Sequence, residues 1–221
     1  MNNAMPPIVY VIDDDSSIRS GMNLLLTACD FRVRTFGSAT HFYQTEFKDE
    51  PSCILLDVNM PGLSGLEVQE NLNSRNSHIP IIFLTAYGNI SMSVRAIKAG
   101  ADNFLIKPVQ KEDLLFAINN ALERDATARK LRALSEDIRF RYASLSEREL
   151  EVLHLVVRGK LNKEIAYELG NSERTVKAHR SSVMEKMQVS SLAELVLIAT
   201  QLKILDVDSP ISNRLSLKKT N

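Results

Sequence analysis

"CILLDVNMPGLSG", residues 53–65, drives an apolar run, Ile54-Leu55-Leu56, straight into an acid, Asp57, and then into a turn marked by Pro61, Gly62 and Gly65. A short apolar run bounded by turn residues reads as a buried strand. The same pattern recurs along the first half of the chain. "IVYVI" (8–12) is a β-branched run that ends in Asp13-Asp14-Asp15, and "RVRTF" (32–36) alternates like a strand. "IPIIFLT" (79–85) ends in Thr85, and "NFLI" (103–106) ends in Lys107-Pro108.

Helical spacing fills the gaps between these runs, over 16–29, 38–47, 64–73 and 90–99, the last ended by Gly100, and again after 110. Solid apolar strands alternating with helices argue a parallel sheet covered on both faces. In such sheets, sites form outside the carboxyl ends of the strands, at a topological switch point. With the strand order 2-1-3-4-5, the first and third strands are neighbours, and Asp13 or Asp14 faces Asp57. Carboxylates this close repel one another unless a cation sits among them. Hard oxygen ligands in an open site suit Mg²⁺ or Mn²⁺. Lys107 adds a point charge and Thr85 a hydroxyl, a combination that suits a phosphoryl group. Asp15 is expected to cap the helix that begins at 16.

Composition places the whole chain among ordinary globular proteins: 221 residues, 44% apolar and 24% charged. The 27 basic and 27 acidic residues cancel, but unevenly. Residues 1–124 carry 10 basic and 14 acidic side chains, 125–144 carry 5 and 3, and 145–221 carry 12 and 10. The sign separation hints at two tasks. No apolar run is long enough to span a bilayer, and no secretory signal is visible at the start. Cys29 and Cys53 read as core thiols in a reducing compartment.

No glycine or proline occurs from Val109 through Arg158. Apolar residues recur there every three or four positions, including Leu114, Ile118, Leu122, Leu131, Leu134 and Ile138. This predicts a long helix, or two helices, from Lys111 to about Arg141, whose apolar stripe needs a partner surface and could form a dimer seam. From Ser144 onward the periodicity is helical, with breaks at Gly159, Gly170 and Ser190-Ser191. "NKEIAYEL" (162–169), a turn at Gly170, and a helix presenting Arg174, Lys177, His179, Arg180 and Lys186 suggest a helix-turn-helix reader capped by Ser172. The four histidines show no metal-ligand spacing.

Two resemblances sharpen this. "VYVIDDD", "LLDVNMPGLSG", "FLTAYG" and "KAGADNFLIKP", in that order over about 8–126, resemble the CheY-like receiver domain of two-component response regulators. "MSVRAIKAGA" resembles the FixJ-type subgroup. The resemblance implies a flavodoxin-like receiver in which Asp57 accepts a phosphoryl group from a sensor histidine kinase. It implies a metal held by Asp14, Asp57 and the backbone carbonyl of Asn59, with Asp13 acting through water. Lys107 would pair with the phosphoryl oxygens, across a cis bond to Pro108. Thr85 would move toward the phosphoryl group, Phe104 would turn inward, and Ala86 would leave access. Asn59 and Tyr87 would tune how long the phosphoryl group lasts. The fourth helix, fifth strand and fifth helix would form the output face.

Residues 145–199 resemble the LuxR-type DNA-binding domain through Glu149, Gly159, Asn162-Lys163-Glu164-Ile165-Ala166, Leu169, Thr175-Val176-Lys177 and His179. That implies four helices with 173–187 in the major groove of double-stranded DNA. Lys177, Ala178 and Ser181 would reach base edges; Lys163, Thr175, His179 and Arg180 would touch phosphates, with Arg174 on the same surface. A last helix at about 191–202, with Leu192, Leu195, Val196 and Ile198, would dimerise. Asn171 departs from the apolar residue usual in the turn, and Ser146 from the usual threonine cap.

The domains expected are a receiver at 1–126, a helical linker at 127–143, a four-helix DNA-binding domain at 144–205 and a disordered tail at 206–221. The chain reads as an α/β domain followed by an all-α one: a FixJ/NarL-type response regulator, cytoplasmic and not an enzyme. Phosphorylation would make it a homodimer or unmask its DNA-binding surface, and RNA polymerase stays open as a partner. A phosphohydrolase with an aspartyl nucleophile is the rival reading, and Asn59 argues against it, because such enzymes commonly carry a second acid there. A receiver that works without phosphorylation is a further rival. An autoinducer-binding regulator would share only the C-terminal half.

Overall fold

The computed structural model describes residues 5–45, 49–75, 77–86 and 90–205. The expected tail at 206–221, Tyr87 and the end of the helix expected over 38–47 lie outside them. The chain divides into two compact units, one ending at Lys130 and the other beginning at Leu131.

In the first unit, strands β1 (Ile8–Ile12), β2 (Arg32–Phe36), β3 (Ser52–Asp57), β4 (Ile81–Thr85) and β5 (Asn103–Ile106) form a parallel sheet in the order β2-β1-β3-β4-β5. Helices α1 (Ser16–Thr27), α2 (Ala39–Tyr43), α3 (Gly65–Ser74), α4 (Ile90–Lys98) and α5 (Lys111–Ala143) alternate with them. The pleat sorts each strand between two cores. Tyr10, Ile12, Ile54, Leu56 and Phe83 face one side with Phe42 and Val68. Val9, Val11, Leu55, Ile82 and Leu84 face the other with Leu26, Leu114 and Ile118. Both faces are therefore covered, which is why β1, β3 and β4 are buried along their whole length and carry continuous apolar runs that do not alternate. Cys53 and Cys29 are free thiols; Cys53 sits in the second core, where burial pushes its thiol far above the ordinary value.

The helix ends follow local chemistry. Asp15 caps α1 by accepting from the amides of Ser17 and Ile18, as expected, and Ser38 caps α2. Ser64 and Glu67 form a reciprocal capping box on α3. Gly65 has a stricter task. A Cβ there would lie 2.4 Å from the carbonyl oxygen of Asp57, while its amide donates to Val58 at 2.9 Å. The loop after Asp57 can close only without a side chain at 65. Gly65→Ala is expected to cost about 2 kcal/mol, as overpacking against rigid backbone does. A lowered urea midpoint for exchange of the β3 amides would register it; an unchanged midpoint would show that the loop yields.

Helix α5 is one unbroken helix, where the sequence allowed one or two. Its first half buries Leu114, Ala117, Ile118, Ala121 and Leu122. Beyond Asp125, Leu131 and Leu134 of the stripe are exposed.

The second unit contains α6 (Glu147–Val157), α7 (Asn162–Leu169), α8 (Glu173–Lys186) and α9 (Leu192–Gln201). They close around Val152, Leu153, Val156, Ile165, Val176, Val183, Met187 and Leu195. Gly170 ends α7 in the left-handed region at φ 66°. The half-buried Asn171 does not open the turn: its amide donates to the Ala166 carbonyl at 2.9 Å. None of the described helices is long and apolar enough to cross a membrane.

Candidate functional site

Three strand ends converge because the sheet order makes β1 and β3 neighbours and sets β4 beside β3. Ile12 pairs with Leu56 and Asp57 with Leu84, so the residues after β1 and at the end of β3 and β4 share one rim. Carboxylate oxygens of Asp13, Asp14 and Asp57 lie within 4.8 Å of one another. Asp13 and Asp57 are buried and Asp14 is exposed, so the cluster opens to solvent on one side.

Lys107 reaches the rim from the end of β5, held by its amide donating to the Thr85 carbonyl at 2.7 Å and followed by a cis bond to Pro108. Its Nζ donates to Asp13 at 2.5 Å and lies 3.2 Å from Asp57. Burial pulls the Lys107 ammonium down, but Asp13 and Asp57 more than offset that, and its pKa rises above the ordinary lysine value. Burial pushes the Asp57 carboxyl up, Lys107 pulls it back, and the carboxylates of Asp13 and Asp14 add to the rise; the net shift is upward. Three acids with one lysine leave a net negative pocket. That is the donor set a hard divalent cation fits: oxygen ligands, partly open to water.

The other expected residues fall around this centre. Thr85 is buried at the end of β4, Ala86 is exposed beside it, and Asn59 is exposed two residues after Asp57. Phe104 is half-buried, its ring 6.3 Å from that of Phe83. The sequence reading missed Arg19, whose guanidinium donates to the Asp13 carbonyl at 2.7 Å and so helps fix the loop after β1. It also missed a polar cluster at the opposite end of the sheet. There Asp125, buried on α5, pairs with Arg129 at 2.6 Å and accepts the Ser52 amide at 3.4 Å. Arg129 also pairs with Asp49.

In the second unit, Lys163, Arg174, Lys177, Ala178 and Ser181 are exposed, while Thr175, His179 and Arg180 are half-buried. Ser172 caps α8 through the amide of Thr175, as expected. Two of the basic side chains of α8 have partners within the domain, Arg180 half-buried and Lys186 exposed. Arg180 donates to Asn162 at 3.0 Å, and Lys186 to Glu149 at 2.7 Å. Of the four residues expected in a dimer seam on the last helix, Leu195 is not on the surface. Leu195 is 1% exposed and belongs to the domain's own core, because α9 must cover α6; Val196 and Ile198 are packed partly against that core. Leu192 and Leu197 are the large apolar side chains that α9 leaves on the surface.

Glu149 is also buried, 5% exposed. Bonds from Lys186 and Ser182, then from the Ser146 amide, hold its carboxyl down to about 2, against 4.5 ordinarily. The sign follows from linkage. A carboxyl with a depressed folded pKa stabilises the fold above about 4.5 and loses that stabilisation as pH falls toward about 2. Melting of the second unit should therefore fall across that window, and Glu149→Gln should flatten the fall. Equal slopes in the two proteins would contradict it.

Comparison with known proteins gives two family matches. Residues 9–119 match the response regulator receiver domain, and residues 143–199 match the bacterial regulatory proteins of the luxR family. The response regulator protein TmoT of Ectopseudomonas mendocina is 42% identical over 91% of each chain. The transcriptional regulatory protein FixJ of Azorhizobium caulinodans is 40% identical over 86% of this chain and 90% of its own. The solved structure of the response regulator StyR superposes with a TM-score of 0.82 and 44% identity, covering 89% of this chain and 99% of that one.

Proposed function

Since the chain belongs to the response regulators that join a receiver domain to a LuxR-type DNA-binding domain, we propose that Asp57 is its phosphoacceptor and that phosphorylation controls its binding to DNA. The family is one of transcription regulators, not enzymes. The observation that carries the reading is the convergence of Asp13, Asp14, Asp57 and Lys107 on one rim of the sheet.

An Asp57 carboxylate oxygen attacks phosphorus of a phosphohistidine on the sensor kinase. The phosphorus–nitrogen bond breaks, its electron pair stays on the imidazole, and an aspartyl phosphate remains. Asp14, Asp57 and the Asn59 carbonyl would hold Mg²⁺ or Mn²⁺, with Asp13 acting through water. When bound, that cation offsets the negative charge gathered between carboxylate and phosphoryl group. Lys107 supplies the second cation, leaving Asp13 for the phosphoryl oxygens. Thr85 donates its hydroxyl to the same group, Ala86 leaves room above it, and Phe104 fills the space that Thr85 vacates. Asn59 sits where a hydrolytic enzyme would place a second acid, which favours a lasting aspartyl phosphate.

Beside Lys107, α1 and the segment after β5 wall a largely apolar cleft of about 540 Å³, lined by Ile18, Met22, Leu25, Pro108 and Val109. It suits an apolar helix face of the kinase bearing the phosphohistidine. Val94, Ile97, Ile106 and Phe116 are exposed apolar side chains on α4, β5 and α5, the elements assigned here to output and to phosphorylation-dependent pairing of two copies. We assign 1–126 as receiver, 127–143 as helical linker and 144–205 as DNA-binding domain, acting in the cytoplasm.

On the DNA-binding domain, Lys177, Ala178 and Ser181 read base edges, and Lys163, Arg174, Thr175, His179 and Arg180 meet the backbone. Leu192 with Val196 and Ile198 forms the seam of the bound dimer. The test is duplex binding by the full chain before and after treatment with a small phosphodonor and Mg²⁺. Tightened binding after treatment is the expected result; equal affinity in both states would sink the proposal.

A further inference from the structure

The basic residues of α8 differ in what they engage: Lys177 is exposed, and Lys186, also exposed, directs its ammonium to the buried Glu149. Val176 and Val183 mark its buried face, while Lys177, Ala178 and Ser181 are exposed. Ser182 and Lys186, one turn apart, share the flank between those faces. Both end on one carboxylate. Ser182 Oγ donates to Glu149 Oε1 at 2.5 Å, and Lys186 Nζ donates to Oε2 at 2.7 Å. The same Oε2 accepts the Ser146 amide at 2.7 Å, and the Ser146 hydroxyl accepts the Glu149 amide at 3.3 Å. Glu149 thus closes the cap of α6 and grips α8 at once. Apolar packing of Val176 and Val183 sets which face of the helix turns inward but holds its rotation only coarsely, since that force has no direction. Short charge-assisted hydrogen bonds have direction.

We infer that Glu149 is a positioning residue for DNA binding, setting the rotation of α8 through Ser182 and Lys186, and that Lys186 acts inward through it and not on DNA phosphates. This rests on the DNA-binding reading above and adds to it which cations count toward the DNA surface. It reverses the sign expected from charge alone. Removing a negative charge from a DNA-binding domain ordinarily strengthens its hold on a polyanion. Here the loss of Glu149 loosens the helix that carries Lys177.

The test uses the full chain and a labelled DNA duplex of mixed sequence, titrated across a range of salt concentrations. Glu149→Gln is expected to weaken binding by roughly tenfold, the worth of one charge-assisted hydrogen bond, although it removes a negative charge. Lys186→Gln is expected to keep the salt slope of the unmutated protein, whereas Lys177→Gln lowers that slope by about one. Should Glu149→Gln fail to melt cooperatively, the Lys186 slope decides alone. Affinity that rises in folded Glu149→Gln, or a slope in Lys186→Gln reduced like that of Lys177→Gln, would overturn the inference. An unmutated chain that ignores the duplex at every salt concentration would overturn the DNA-binding reading itself, and the inference with it.

Discussion

Asp57→Asn is expected to abolish phosphoryl uptake from a small phosphodonor and Mg²⁺, a fall of about a thousandfold or more, as removal of a nucleophile produces. The amide keeps the size of the side chain but has no carboxylate oxygen to attack phosphorus. The fold should survive, because Asp57 is destabilised as an anion where it stands: burial and the acids beside it raise its pKa. For a raised carboxyl the folded state binds more protons than the unfolded chain above pH 3.8, so ionisation of Asp57 opposes folding at neutral pH. Asp57→Asn removes that penalty, and its urea midpoint should equal or exceed that of the unmutated protein. Phosphoryl label recovered on Asp57→Asn at the unmutated level would place the acceptor elsewhere.

The largest loss of stability is expected at the other end of the sheet. Arg129 lies between Asp125, buried on α5, and Asp49, on the segment leading into β3. Arg129→Ala takes the guanidinium from a buried carboxylate, a change that costs about 3 kcal/mol or more when one member of a buried pair is lost. Exchange of the β3 and α5 amides should become faster, with a lower urea midpoint and an unchanged denaturant slope. The pair is not required for its own sake. Asp125→Asn with Arg129→Met, which removes both charges, should recover much of the loss. A double variant as unstable as Arg129→Ala would mean that packing of the arginine stem, not charge, is what matters.

The two ends of the sheet differ in how far the sequence reveals them. Asp13, Asp57, Thr85 and Lys107 each follow an apolar run directly, so hydropathy points at them and the strand order brings them together. Asp125 and Arg129 sit at helical spacing among other charges, which reads as a solvated face. Their partners, Ser52 and Asp49, lie 73 positions before Asp125 and 80 before Arg129. Nothing local marks that pairing.

Boundaries moved for equally physical reasons. Strand β4 starts at Ile81, after Pro80, which lacks an amide for the ladder but whose carbonyl accepts from Ile54. Strand β3 runs through Asp57 itself, since that residue pairs in register with Leu84. In the second unit, helical periodicity showed which face of α8 is polar. It did not show that Lys186 and Arg180 have partners within the domain, because Glu149 and Asn162 reach them from other helices. The same holds for Leu195, which looks like a seam residue by resemblance and is core by contact.

The central claim, that Asp57 is a switch read out by pairing of two chains, is tested most directly by sedimentation of the full chain with Mg²⁺, with and without beryllofluoride, beside Asp57→Asn. Beryllofluoride imitates the phosphoryl group on the carboxylate. A shift from monomer to dimer in the unmutated protein alone is the predicted result. A shift of equal size in Asp57→Asn, or none in either protein, would contradict the account.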